Sequence, residues 1–338
     1  MTSNLPVLPV SPSLSSEDLT PAISVREIVH RYWNRAALNG VSFDVRPAEL
    51  FGLLGPNGSG KTTLFRILST LMVPVAGRAL ILGHNPAQDP DELRREIGVV
   101  FQAQSIDLKL TAAENLMHQG HLYGLRGAVL KKRIAEILDR VGLADRSKDK
   151  AETFSGGMQR RLELAKGLLH GPKVLLLDEP TTGLDPGARR DLWQYLRILR
   201  EEEKVTTLVT THLMEEAERC DRLVILNEGR VVALGTPAEL KQEIGGDVIV
   251  LETKDPERLA GRIRTQFGID TQVLETQVRM EREHGHRFVL DLVQSFPGEI
   301  DSVSISKPSL EDVFIRRTGH RFWTEGTQES FGRKESKR

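Results

Sequence analysis

Cysteine is almost absent from this sequence: it occurs once, at Cys220. One thiol cannot close an intramolecular disulfide, and the count fits a reducing compartment. Cys220 sits among charged residues, Glu218-Arg219 before it and Asp221 after it, and reads as incidental rather than reactive. Long apolar runs are missing as well, so no segment approaches the length of a membrane span. The N-terminus has no basic region followed by an apolar stretch, and the expectation is no signal peptide. Any membrane contact then runs through another protein or a surface. Charge of one sign is also lacking. Lys and Arg number 46 and Asp and Glu 47, for a formal net charge of −1 and a pI near 6.8. That balance makes no overall electrostatic case for nucleic acid, and none is expected as a partner. The 338 residues suffice for a sizeable core and suggest about two domains.

What the sequence does contain is a stretch that organises the rest: Gly55-Pro56-Asn57-Gly58-Ser59-Gly60-Lys61-Thr62-Thr63. It fits the phosphate-binding pattern G-x-x-x-x-G-K-[ST]. An apolar segment at 49–54 reads as a buried strand before it. Leu64, Phe65, Ile67 and Leu68 follow at helical spacing. Glycines 55, 58 and 60 let the backbone bend and turn its N–H groups toward an anion. The positive end of the following helix adds to that field. Lys61 is placed to bridge β- and γ-phosphates, and the Thr62 hydroxyl to ligate Mg²⁺. A glycine-rich turn matching by chance is the plain alternative, and the flanking strand and helix argue against it.

Along the chain, residues 1–21 are rich in Ser, Pro and Thr and read as a disordered tail. Residues 23–32 read as an edge strand, with 38–45 as its antiparallel partner. Tyr32 or Trp33 closes that strand, and an aromatic there is placed either to stack on a base or simply to pack. Residues 78–82 and 97–101 read as strands around a short helix at 91–95; the second ends at Gln102. From 111 to 141 the pattern is helical, and Lys131-Lys132-Arg133 reads as a solvated face. Ser155-Gly156-Gly157 then opens a helix, with Ser155 as N-cap and accessible N–H groups suited to an anion. Val174-Leu175-Leu176-Leu177-Asp178-Glu179 is an apolar run ending in two acids. That is the form of a buried parallel strand delivering carboxylates at its C-terminal edge. Asp178 suits Mg²⁺, and Glu179 suits a base that orients water. Leu184-Asp185-Pro186 opens another helix. A β-rich run at 205–210 leads to His212, a site candidate because it follows a strand end beside the acids. Residues 222–234 read as a closing hairpin.

Taken together, these motifs resemble the nucleotide-binding subunit of ABC (ATP-binding cassette) transporters over about residues 23–240. Tyr32 matches the adenine-stacking aromatic, Gly55 to Thr62 the Walker A loop and Gln102 the Q-loop glutamine. Ser155-Gly156-Gly157-Met158-Gln159 matches the signature, with Phe154 where leucine is usual. Asp178 and Glu179 match the Walker B aspartate and the catalytic glutamate. Leu184 and Asp185 match the D-loop, and His212 the switch histidine. The resemblance implies an α/β P-loop cassette: a RecA-like core, an antiparallel β subdomain and an α-helical subdomain. It implies ATP and Mg²⁺ as cofactors, with Thr62, Gln102 and Asp178 at the metal and Glu179, His212 and Gln102 in catalysis. It also implies a head-to-tail homodimer in which Ser155, Gly156 and Gly157 cap the partner's ATP, and it counts Asp185 among the nucleotide-binding residues.

Residues 245–320 read as a small α+β domain ending in Pro308-Ser309-Leu310-Glu311-Asp312-Val313-Phe314. This resembles the C-terminal domain of drug- and antibiotic-resistance ABC exporters of the daunorubicin-resistance type. The membrane subunits of that family are ABC-2 type permeases, so the implied partner is such a permease and the implied place is the cytoplasmic face of the membrane. The domains expected are a tail (1–21), the cassette (22–244), the accessory domain (245–320) and a polar tail (321–338). Every nucleotide motif precedes residue 245, so removal of the accessory domain is expected to spare nucleotide binding. A soluble ABC ATPase acting on ribosomes or nucleic acid is the second reading. Such relatives usually carry two cassettes, or a coiled-coil or zinc insertion, which this sequence lacks.

Overall fold

The computed structural model describes residues 20–322, and the tails expected at 1–21 and 321–338 lie almost wholly outside that range. The described chain opens with two antiparallel strands, β1 (Ile23–Tyr32) and β2 (Arg35–Val45). β3 (Leu50–Leu54) leads through the glycine loop into α1 (Lys61–Leu68). Then come β4 (Ala76–Ile81), α2 (Pro90–Glu96), β5 (Ile97–Val100), α3 (Ala112–Leu122), α4 (Gly127–Arg140) and α5 (Gly156–Leu168). The cassette continues with β6 (Val174–Asp178), α6 (Pro186–Glu201), β7 (Thr206–Thr211), the short α7 (Met214–Ala217) and the hairpin β8 (Arg222–Asn227) and β9 (Arg230–Gly235). The last elements are α8 (Pro237–Gln242), β10 (Asp247–Glu252), α9 (Pro256–Phe267), β11 (Gln272–Leu274), β12 (Gln277–Arg282), α10 (Gly285–Ser295), β13 (Ser302–Ser306) and α11 (Leu310–Thr318).

Six strands form the central sheet in the order β5-β6-β7-β3-β8-β9. All its pairings are parallel except the β8–β9 hairpin. Every residue of β3, β6 and β7 is buried, as expected of parallel strands covered on both faces. Leu54 pairs with Thr211 and Asp178 with Thr210. This register sets the C-terminal ends of β3, β6 and β7 side by side, and the loops leaving them share one edge of the sheet.

The structure corrects the sequence expectation in three places. β1 is no edge strand: it lies between β2 and β4 in a three-stranded antiparallel sheet. Its alternation reports one covered face and is silent about how many neighbours a strand has. The helical stretch from 111 to 141 is two helices, α3 and α4. Gly124, at φ 76, ends the first. The Leu125 N–H bonds the Gly120 carbonyl and the Gly124 N–H the His121 carbonyl, the paired bonds of a left-handed C-terminal cap. Within Lys131-Lys132-Arg133, Arg133 is half-buried and its Nε donates to the Leu169 carbonyl at 3.1 Å, so only the two lysines form a solvated face.

The accessory region is less separable than its motif content implies. It has a core of its own, with Ile249, Leu251, Leu259, Ile263, Val278, Phe288 and Phe296. A second cluster joins it to the cassette: Leu310, Val313 and Phe314 of α11 pack with Leu223, Ile225, Ala233 and Leu240. Beside that cluster the Asn227 amide lies 3.3 Å from His320 Nε2. Ala or polar substitutions here act on the cassette. Phe314 is fully buried, so Phe314→Ala is expected to lower the unfolding free energy by about 3–5 kcal/mol. Urea unfolding followed by tryptophan fluorescence measures this. A loss below about 1 kcal/mol would show that α11 is not part of the cassette's cooperative unit. For the same reason truncation at residue 245 uncovers apolar surface on β8, β9 and α8. Such a chain is expected to be less stable even though it keeps every nucleotide motif.

Candidate active site

The loop after β3 carries the organising motif. Gly60 stands at φ 107 as the residue before α1, a conformation that favours glycine. A Cβ there would come within 2.5 Å of the Ala37 carbonyl oxygen, so β2 seals the loop from behind. The turn of the β8–β9 hairpin supports it from another side: the Gly229 N–H donates to the Ser59 carbonyl at 3.0 Å. Lys61 and Thr63 are buried while Thr62 is exposed. The loop opens into a cleft of about 440 Å³ lined by Tyr32, Arg35, Asn57, Gly58, Lys61 and Thr62, and by Gln102, Glu179, Thr182 and His212 from the other strand ends.

Among the groups lining that cleft is the Glu179 carboxylate. His212 Nδ1 lies 3.1 Å from Oε1 and Lys61 Nζ 3.9 Å from the same oxygen. Oε2 accepts from Gln102 Nε2 at 3.3 Å and from the Thr182 hydroxyl at 3.4 Å. Burial pulls the Glu179 pKa up, but the His212 contact and the charges of His212 and Lys61 outweigh it, and the net shift is downward. The group is therefore ionised at neutral pH, the state a base requires. Glu179 has φ 42, a left-handed conformation that costs a non-glycine residue about 1–3 kcal/mol and gathers at functional sites. Thr210 of β7 holds it there, its Oγ1 accepting the Glu179 N–H at 2.9 Å.

Asp178 lies one residue back, in the strand. Its Oδ1 accepts the Thr210 hydroxyl at 2.6 Å. Because Thr210 already accepts the Glu179 N–H, its single proton goes to Asp178. Burial raises the Asp178 pKa above its usual range, partly offset by that hydrogen bond. A buried carboxylate in this state is suited to a cation. Lys61 Nζ donates to the carbonyls of Gly55 at 2.6 Å and Pro56 at 3.1 Å. Burial pulls its pKa down, while Glu179 and Asp178 oppose the shift. A buried ammonium satisfied by two carbonyls is well matched to an incoming phosphate anion.

The expected site residues thus divide into two groups. The loop from Gly55 to Thr63, Tyr32, Gln102, Asp178, Glu179 and His212 come together at one sheet edge. Tyr32 faces the cleft, half-exposed, whereas Trp33 is fully exposed. The Ser155-Gly156-Gly157 group and Asp185 do not line this cleft. Ser155 caps α5, accepting the Met158 N–H at 3.3 Å, and Phe154 is buried in the helical core. Both Ser155 and Gly156 are exposed, and beyond its chain neighbours and its own helix backbone nothing lies within 4 Å of where a Gly156 Cβ would sit. Asp185 caps α6, accepting the N–H groups of Gly187 and Ala188; these bonds hold its pKa low.

Several residues of the site escape the motifs. Arg160 is buried, and its guanidinium donates to the carbonyls of Pro180 at 2.7 Å, Phe101 at 2.8 Å and Asp178 at 3.3 Å. It ties α5 to the ends of β5 and β6. Thr210, Thr182 and Arg35 are also new. For Thr210 the signal in the sequence is Thr206-Thr207-Leu208-Val209-Thr210-Thr211: hydroxyls in a strand that must be buried call for partners, and the Thr210 hydroxyl finds one in Asp178.

The chain matches the ABC transporter family over residues 38–182 and the DrrA1-3-like ATP-binding protein C-terminal domain family over residues 235–318. It is 37% identical over 321 residues to the daunorubicin/doxorubicin resistance ATP-binding protein DrrA of Streptomyces peucetius, covering 92% of this chain and 96% of that one. It is 35% identical to the linearmycin resistance ATP-binding protein LnrL of Bacillus subtilis, covering 88% and 98%. It is 39% identical to the Nod factor export ATP-binding protein I of Burkholderia orbicola, covering 88% and 97%. Among solved structures, the ADP conformation of the cassette MJ1267 superposes with a TM-score of 0.59 at 26% identity, covering 65% of this chain and 92% of that one. The dimeric post-hydrolysis state of MJ0796 bound to ADP and Pi gives 0.58 at 30% identity, covering 63% and 98%.

Proposed function

The chain belongs to the ATP-binding proteins of ABC transporters, and we propose that it is the ATP-hydrolysing subunit that powers an ABC-2 type membrane exporter. The observation that carries the hydrolytic role is the ionised Glu179 carboxylate, held by His212, Gln102 and Thr182 beside the Lys61 ammonium. The division that goes with this role is a cassette over 22–244 and an accessory domain over 245–320.

ATP stacks its base on Tyr32 and lays its phosphates along the Gly55 to Thr63 loop. Lys61 leaves the Gly55 and Pro56 carbonyls for the β- and γ-phosphate oxygens. Thr62, Asp178 and Gln102 would hold Mg²⁺, and the residues fit it: one carboxylate, a hydroxyl and an amide oxygen, with the phosphates completing the set. When bound, that ion neutralises phosphate charge. Glu179 orients the attacking water and takes up its proton, and His212 holds Glu179 and the γ-phosphate in register. This is positioning and charge neutralisation, which is what phosphoryl transfer to water requires.

A second copy, head to tail, completes the site. Its Ser155, Gly156 and Gly157 cap the γ-phosphate, and its Asp185 lies at the same interface. The exposed start of α5, unfilled by its own chain, supports this. ATP closes the dimer and hydrolysis reopens it. In this reading the subunit sits peripherally at the cytoplasmic face, held by an integral membrane permease, as its likeness to the ATP-binding proteins of exporters supports; no helix among the described residues is long and apolar enough to cross a membrane. Relatives named for daunorubicin/doxorubicin resistance, linearmycin resistance and Nod factor export support a drug or antibiotic as cargo, and the reading extends to other hydrophobic or lipid-linked molecules.

Phosphate release by the purified chain tests the enzymatic core. Hydrolysis is expected with ATP and Mg²⁺ and to vanish with excess EDTA. Lys61→Ala removes a buried, charge-assisted contact and is expected to weaken ATP binding by about 2 kcal/mol, ~30-fold. Unchanged turnover after chelation would remove Mg²⁺ from the scheme. Unchanged ATP affinity in Lys61→Ala would remove the phosphate assignment of the loop. Vesicle transport with the co-expressed permease tests export.

A further inference from the structure

We propose that Glu216 is a positioning residue that locks the segment carrying His212 to the loop carrying Glu179, so that the base and the switch histidine move as one unit. This rests on the proposed function and extends it to a residue outside the cleft.

Glu216 lies in α7, 1% exposed, and does not line the nucleotide cleft. Its two carboxylate oxygens serve two different segments. Oε1 accepts the hydroxyl of Thr181, two residues after Glu179. Oε2 accepts the hydroxyl of Thr211, the residue before His212, at 2.6 Å. Thr211 Oγ1 in turn accepts the N–H of Leu213, the residue after His212, at 3.0 Å. The Thr211 proton is therefore committed to Glu216, and the residues on both sides of His212 hang on that one carboxylate. The arrangement repeats the neighbouring one, in which the Glu179 N–H donates to Thr210 and Thr210 to Asp178. Asp178 thus fixes the backbone of the base, and Glu216 fixes the backbone of the histidine and ties it to the base's own loop.

Arg189, in the first turns of α6, places its Nε 3.8 Å from Glu216 Oε1. It partly balances the buried charge and extends the tie to the helix that Asp185 caps. A carboxylate buried this deeply is costly unless it is paired and hydrogen-bonded. Here every acceptor bond is spent on the two loops that must hold the 3.1 Å contact between His212 and Glu179. Displacements near 1 Å at such a contact cost about two orders of magnitude in rate.

The test uses the full chain with ATP and Mg²⁺. It compares turnover, ATP affinity and thermal unfolding for wild type, Glu216→Ala, Thr181→Val, Thr211→Val and Glu179→Gln, with Glu216→Ala also made in the Glu179→Gln background. Glu216→Ala is expected to lower kcat about ten- to a hundredfold while ATP affinity stays within about twofold, because the phosphate loop is untouched. In the Glu179→Gln background the same change is expected to have almost no further effect, since the group it positions is already disabled. A purely structural role gives the opposite: equal proportional losses in both backgrounds. Should Glu216→Ala not fold, the two valine variants decide. Each is expected to lower kcat severalfold at unchanged ATP affinity, and the double variant no more than the worse single one. Wild-type kcat in the variants that fold, or losses that multiply, overturns the inference alone. A wild-type chain that does not hydrolyse ATP, or Glu179→Gln as fast as wild type, overturns the site reading and the inference together.

Discussion

Glu179→Gln is expected to lower ATP hydrolysis by about two orders of magnitude or more, the scale for losing a positioned base, while ATP and Mg²⁺ still bind. The substitution keeps the shape of the side chain and its hydrogen-bonding reach to Gln102, Thr182 and His212. It removes a carboxylate that the site keeps ionised at neutral pH. Lys61, Thr62 and Asp178 are untouched. Lys61 also loses its opposite charge at 3.9 Å, which frees the ammonium for the γ-phosphate and favours ATP retention. In the proposed cycle reopening follows hydrolysis, so the variant is expected to accumulate as an ATP-bound dimer and the wild type to be mainly monomeric during turnover. Size-exclusion chromatography with ATP and Mg²⁺, beside a phosphate-release assay, reads both outcomes. Turnover near wild type would falsify the assignment of Glu179 as the base. Slow turnover without dimer would leave the base in place and remove the sandwich cycle for the isolated subunit.

The second large effect is expected on mixing two inactive chains. Ser155→Arg puts bulk and positive charge at the open start of α5, where Ser155 now accepts the Met158 N–H. Lys61→Ala empties the cation position of the phosphate loop. Each homodimer carries its lesion in both sites and is expected to be nearly inactive. In the proposed head-to-tail heterodimer the two lesions would meet in one composite site, with Ser155 of one copy serving the loop of the other. The second site is then intact, and activity returns. The geometry motivates this: the Ser155 group does not line its own chain's cleft. Co-purification through two different tags confirms that heterodimers form, and phosphate release measures recovery. Heterodimers with no more activity than either parent would overturn the composite site.

How much of the fold and site was legible in the sequence depends on the range of the interaction involved. The phosphate loop was readable because its chemistry is local: glycines, a lysine and a threonine at fixed spacing between a strand and a helix. The acids at the end of β6 were readable because a run of five buried residues ends at Asp178, and a buried strand delivers its next residues to the sheet edge. The Ser155 cap follows the local rule for helix starts, and its bond from the Met158 N–H is present. The break between α3 and α4 also had a local signal in Gly124, but apolar spacing on both sides obscured it.

Sequence alone determined most of the cassette's secondary elements, the order of its motifs and the kind of anion its loop can hold. Each rests on periods and spacings within a few tens of residues, which the chain carries whatever its neighbours do. Tertiary structure alone decided which side chains meet. That Glu179 is held by Gln102, 77 residues away, depends on β5 and β6 being neighbours. That Glu216 reaches both Thr181 and Thr211 depends on α7 turning back over the ends of β6 and β7. That α11 closes the apolar face of β8 and β9, binding the accessory region to the cassette, depends on Leu310, Val313 and Phe314 meeting Leu223, Ile225 and Ala233 from far back in the chain. Buried charges and hydroxyls must find partners in three dimensions, and sheet order, which no local pattern encodes, chooses those partners.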